Sequence, residues 1–265
     1  MSNAALEAYD ASILWVRGHR VHIRVQGHGD PLLLLNGLTR SLESWDPFVR
    51  ALGERTIVSF DAPGVGQSPL PLLPLSIAQL AELAAAVLDE VGLDRVDVLG
   101  FSHGGAVAQQ LAFQYPSRVL RLVLVATSCG AGATLSGWDS LDGLGVLPKF
   151  DRSQAKSAIW RTMAISAWSS IPFLGAIAAP TLVVCGLKDR VAPIANSRAL
   201  AGRIPNASLT VLPEGHDLQQ PEPAAALAHV VDTFLGGAVV VAPAPEVSPL
   251  RPIDSTNTHP QRRWR

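Results

Sequence analysis

Cysteine is almost missing from this chain. Cys129 and Cys185 are the only two among 265 residues, which excludes a disulfide scaffold and favours a reducing, cytoplasmic setting. Cys185 sits inside an apolar run and reads as a small buried hydrophobe. A surplus of charge is missing too. The formal net charge is −1, both signs are scattered, and no basic stripe offers a footprint for nucleic acid. No run of about 18 apolar residues occurs, which excludes a membrane-spanning helix. The start, Met1-Ser2-Asn3-Ala4, has no basic flank followed by an apolar stretch, so no secretory signal is expected. No cysteine–histidine cluster has metal-ligand spacing, so no metal or cofactor is expected.

What the chain does have is apolar residues, 48 % of the total, in alternating patterns. Ile13 to Val25 reads as two strands around a turn at Gly18-His19, and His28-Gly29-Asp30 marks another turn. Short continuous apolar runs follow at Pro31–Leu35, Thr56–Phe60, Val96–Leu99, Val119–Val125, Thr181–Cys185 and Ser208–Leu212. Such runs suit strands buried on both faces. Helical patterns lie between them at Ser76–Val91, His103–Gln114 and Pro221–Leu235. Strands alternating with helices imply βαβ units, hence an α/β fold with a mostly parallel eight-stranded sheet flanked by helices. The regularity breaks over residues 129–179, which carry Trp138, Trp160 and Trp168 and read as a short lid inserted over the sheet. The core is expected to comprise residues 1–128 and 180–236. Residues 237–265, with five prolines, read as a disordered tail.

Gly100-Phe101-Ser102-His103-Gly104 follows a buried strand and opens a helix. This is the G-x-S-x-G nucleophile elbow in the context that it requires. The turn is so tight that side chains two before and two after the serine would collide. It lifts the serine oxygen clear of the sheet and aims the positive end of a helix at the reacting centre. The plain alternative is a glycine-rich turn with an incidental serine, and the strand–turn–helix context disfavours it. In this arrangement the acid and then the histidine follow the serine in the chain. Asp189 stands just past the Thr181–Cys185 strand, whereas the rival position after Val125 holds Thr127-Ser128-Cys129 and no carboxylate. Asp61 precedes the serine and is out of order. Among seven histidines, His216 alone lies in a loop after the last strand. The expected triad is therefore Ser102, Asp189 and His216, with the backbone N–H groups of Leu38 and His103 as oxyanion donors. The His103 ring should point away from the serine oxygen. Pro63-Gly64-Val65-Gly66-Gln67-Ser68 invites a phosphate-loop reading but lacks the third spaced glycine and the lysine.

These residues resemble the α/β-hydrolases, and among them the intracellular depolymerases of medium-chain poly(3-hydroxyalkanoate). The matching pieces are Asn36-Gly37, Phe60–Gly66, Gly104–Gln110, Tyr115–Arg118 with Leu122–Thr127, Pro180–Val183 and Arg203–Ala207. The Gln109-Gln110 pair and Asn36-Gly37 are more specific than the triad. Two features depart from that family: His103 stands where it usually carries tryptophan, and the insertion is shorter than its lid. The resemblance implies a serine hydrolase cleaving aliphatic esters through an acyl-enzyme, on hydroxyalkanoate polyesters or oligomers, with a polymer granule surface as partner. A small-ester carboxylesterase, lactonase or carbon–carbon bond hydrolase on the same triad is the alternative. A slow ligand-binding or granule-surface protein is the further one. Deleting Gly236 to Arg265 is expected to leave ester hydrolysis in solution largely unchanged; a large fall in melting temperature on truncation would show instead that the tail docks on the domain.

Overall fold

The computed structural model describes residues 11–131 and 152–237. Its first strands, β1 (Ser12–Val16) and β2 (His19–Gln26), form a hairpin. The turn is Arg17-Gly18 rather than Gly18-His19, with φ of 49° and 79°. Positive φ at both central residues matches the right-handed twist of the flanking strands. The chain continues through β3 (Pro31–Leu35), α1 (Asp46–Ala51), β4 (Thr56–Phe60), α2 (Ile77–Glu90), β5 (Val96–Phe101), α3 (His103–Gln114) and β6 (Val119–Val125). After the inserted segment with α4 (Arg152–Ser166) come β7 (Thr181–Gly186), α5 (Ile194–Ala201), β8 (Ala207–Leu212) and α6 (Pro221–Gly236).

The eight strands form one sheet in the order β1-β2-β4-β3-β5-β6-β7-β8. β1, β2 and β4 pair antiparallel, and every pair from β4–β3 to β7–β8 is parallel. Both faces are covered. Leu33 and Leu35 join the core under α2 and α3, while Leu32 and Leu34 join the opposite core under α6. That two-sided burial is why β3 is an unbroken leucine run. Two short helices, α1 and α5, escape the sequence pattern. α1 has only six residues and a proline in its first turn, and α5 has eight. By contrast α2 announces itself: Ser76 and Gln79 form a capping box.

The insertion is tied shut at its base. Gly130 and Ser169 form an isolated bridge, Ser170 N–H donates to Cys129 O (3.0 Å), and Ala131 N–H donates to Trp168 O. From α3, Gln109 donates to Ser128 O (3.0 Å) and accepts from Ser170 Oγ (2.7 Å), while Gln110 accepts from Trp168 Nε1 (2.7 Å). The Gln-Gln pair therefore holds both ends of the insertion to the helix behind Ser102. Trp138 and residues 132–151 of the expected lid lie outside the described residues. So does the tail after Gly237. At the end of α6, Arg121 donates to the carbonyls of both Leu235 and Gly237. Both cysteines are buried, and burial pushes their thiols up from the ordinary value.

The rejected glycine motif also has a structural role. Asp61, fully buried at the end of β4, accepts from Leu42 N–H (2.8 Å) and Gln67 N–H (2.9 Å) and pairs with His22 Nδ1 (2.8 Å). A Cβ on Gly66, at φ 50°, would fall 2.1 Å from its carboxylate. The loop thus wraps a carboxylate of the chain itself, not a phosphate. Asp61→Ala should strand the buried Leu42 amide, the part-buried Gln67 amide and a buried imidazole and lower unfolding stability by about 3 kcal/mol or more. Urea unfolding measures this, and a loss under about 1 kcal/mol would contradict the account.

Candidate active site

The site starts from the end of β5. Ser102 has φ 52° and ψ −116°, a conformation that a residue with a Cβ adopts only when its surroundings impose it. Its N–H donates to Val125 O (2.9 Å), and its carbonyl accepts from Gly105 N–H (2.9 Å) and Thr127 Oγ1 (2.7 Å). A Cβ on Gly100 would lie 2.4 Å from Gly104 O, and one on Gly104 would lie 2.1 Å from Leu35 O. The two expected glycines are thus sterically required. So is Gly105, whose added Cβ would meet Thr127 at 2.5 Å.

His216, in the loop after β8, faces Ser102: its Nε2 is 3.1 Å from Ser102 Oγ. Its Nδ1 is 2.8 Å from Asp189 Oδ2. The other oxygen of Asp189 accepts from Val191 N–H and Ala192 N–H, both at 2.8 Å. These bonds fix the carboxylate and leave Oδ2 for the imidazole. Phe101 packs on the His216 ring with centroids 5.2 Å apart. Arg40 also lies over the Phe101 ring and bonds the Asp217 carboxylate next to the histidine. Gln219 Nε2 donates to Asn36 Oδ1 (3.1 Å). The histidine loop is therefore tied to the loop after β3 at two points.

In that loop Gly37 N–H donates to Asn36 Oδ1 (2.9 Å), and the Leu38 amide expected to face the oxyanion comes next in the chain. The His103 amide begins α3 and has no acceptor within the helix. The His103 ring does turn away from the triad: it is buried, and its Nδ1 lies 3.2 Å from Arg161 Nη2 on α4. Burial, and then the Arg161 charge, hold the imidazole well below its usual value, so it is neutral near pH 7. Burial also pushes the guanidinium down to about 10. The sequence reading missed Arg161, because a lone arginine in a weak helical pattern carries no signal. It missed Arg40, Asp217 and Gln219 because their partners are roughly 180 residues away in sequence.

A family model described as the alpha/beta hydrolase fold matches residues 30–143. A poly(3-hydroxyalkanoate) depolymerase of Ectopseudomonas oleovorans is 36 % identical over 222 residues, covering 71 % of this chain and 78 % of the relative. The chain belongs to the α/β-hydrolase family. A 2-hydroxy-6-oxo-6-phenylhexa-2,4-dienoate hydrolase of Burkholderia cepacia is 26 % identical over 74 % of this chain and 85 % of its own length. The crystal structure of a hydrolase from Pseudomonas aeruginosa superposes with a TM-score of 0.73 at 26 % identity, covering 87 % of this chain and all of the other. The protein is a hydrolase with the fold that its sequence pattern predicts. Among the described residues no helix is long and apolar enough to cross a membrane.

Asp189→Asn should keep the fold and lower kcat by about three to four orders of magnitude, since the amide favours the wrong imidazole tautomer. Asp61→Asn should act on stability instead. Steady-state kinetics beside thermal melts separates them, and a fold-intact Asp61→Asn with the larger kinetic loss would move the acid away from Asp189.

Proposed function

We propose that Ser102, His216 and Asp189 form the catalytic triad of an ester hydrolase acting on aliphatic hydroxyacyl esters. The observation that carries this is the unbroken relay from Asp189 Oδ2 through both His216 nitrogens to Ser102 Oγ at a strained elbow. Ser102 attacks the ester carbonyl while His216 Nε2 takes its proton, and Asp189 stabilises the imidazolium. The Leu38 and His103 amides hold the negative oxygen of the tetrahedral intermediate, each being worth about 3–4 kcal/mol at the transition state. His216 then gives its proton to the leaving alcohol. A water deprotonated by the same histidine attacks the acyl-enzyme, and Ser102 takes back a proton as the acid departs.

The substrate class rests on the likeness to the Ectopseudomonas depolymerase, with a polyester or its oligomers as substrate, a granule surface as partner and the cytoplasm as setting. Residues 129–179 act as its lid, over a core of residues 1–128 and 180–236. The Burkholderia relative favours a second reading, carbon–carbon bond hydrolysis or small-ester and lactone cleavage on the same triad. A slow ligand-binding protein would show burst labelling without turnover.

Kinetics of p-nitrophenyl esters from acetate to decanoate, with fluorophosphonate labelling of wild type and Ser102→Ala, test the proposal. Labelling should vanish in the variant. Each buried methylene contributes about 0.8 kcal/mol at most, so kcat/KM should rise by up to about two orders of magnitude over four methylenes. A monotonic fall beyond acetate would transfer the assignment to small esters or lactones.

A further inference from the structure

Arg161 is 7 % exposed, and its guanidinium has no counter-ion among the described residues. Its Nη2 faces the neutral His103 imidazole, while Nε and Nη1 have no hydrogen-bond partner. Arg40, the other arginine on the same cleft, differs: Asp217 neutralises it. A buried cation left with two unused donors is costly unless something pairs with it.

Two more orphaned polar atoms lie beside it. Ser157, four residues earlier and on the same face of α4, is 1 % exposed with its hydroxyl unpaired, and His103 Nε2 is likewise unpartnered. Ser157 and Arg161 both line the small cavity under Leu70 and Pro71. Arg161 also lines a neighbouring, partly open cleft with Asn36, Phe60, Gly104 and Val107. Asn36 precedes the Gly37-Leu38 turn and Gly104 follows His103, so two of the cleft's lining residues are close in sequence to the two residues whose amides are assigned to the oxyanion. In the small cavity the Ser157 hydroxyl and the Arg161 guanidinium face an otherwise apolar lining, and that pair of donors fits a planar carboxylate, which a guanidinium can bind through two parallel N–H groups.

We propose that Arg161, assisted by Ser157, anchors a free carboxylate on the substrate, so that the enzyme prefers esters bearing a second, ionised acid group over neutral esters. This rests on the triad reading above and narrows its substrate class from polyester to carboxylate-ended oligomers and half-esters. A neutral polymer segment leaves the buried cation unpaired, whereas an oligomer end satisfies it.

The carboxylate can belong to either side of the scissile bond, and two substrate pairs distinguish the cases. Mono-p-nitrophenyl glutarate against p-nitrophenyl valerate places it on the acyl part. 3-(Butyryloxy)butyrate against its methyl ester, followed by butyrate release, places it on the alcohol part. In at least one pair the wild-type kcat/KM should be ten-fold or more higher for the anion. That ratio should fall toward one in Arg161→Gln and be partly kept in Arg161→Lys. The ratio is internal to each variant, so a general loss of activity or folding does not mimic the effect. Hydrolysis of the neutral esters with no preference in either pair, or a ratio unchanged in Arg161→Gln, overturns the anchor while the triad reading stands. Absence of both ester turnover and Ser102 labelling overturns the triad reading instead. The anchor is then decided by calorimetric binding of glutarate, which should weaken at least ten-fold in Arg161→Gln and overturns the anchor if it does not.

Discussion

The backbone of Ser102, at φ 52° and ψ −116°, is the constraint around which the rest of the molecule is arranged. A non-glycine residue held there costs of order 1–3 kcal/mol. The strand ladder meets part of that cost by fixing the Ser102 amide on Val125 O, and Thr127 fixes its carbonyl. Three glycines remove the atoms that would otherwise collide with β3, α3 and the end of β6. In return the hydroxyl stands above the parallel edge, where strands β7 and β8 deliver an acid and a histidine from later in the chain. The fold is thus a way of holding one strained residue among partners that sequence keeps far apart.

The partners are themselves cross-braced. Asp189 is fixed by two amides of its own loop. The loop of His216 is tied to the turn after β3 through Gln219–Asn36 and Arg40–Asp217. A displacement of the histidine would therefore also disturb the turn that carries the Leu38 amide. In the proposed mechanism these ties hold the general base in register with an oxyanion donor, which is the preorganisation that electrostatic catalysis needs.

The parts legible in the sequence were those with a local signature. The leucine and valine runs disclosed the buried strands, Ser76 with Gln79 disclosed a helix start, and Gly100–Gly104 disclosed the elbow. Chain order then separated Asp189 from Asp61. What escaped were features without a local period or with a distant partner. α1 and α5 are too short to show an amphipathic repeat. Gly105 has its reason in Thr127, across the sheet. Arg161 is an ordinary helical arginine until the fold buries it against His103 and, among the described residues, gives it no carboxylate. Gln109 and Gln110 stood out as a motif, but their purpose depends on Ser128, Trp168 and Ser170, which only the folded chain brings near.

The closure at the base of the insertion separates two kinds of change. Between Gly130 and Ser169 the chain leaves and re-enters the sheet through a bridged pair, held by two glutamines of α3. The entropy of closing a flexible loop rises only slowly with its length, so residues beyond this collar can be lengthened, shortened or replaced with little cost to the sheet. Mutation beyond the collar can then leave the elbow its strain and its alignment. The collar thus uncouples the evolution of the inserted segment from the geometry at Ser102.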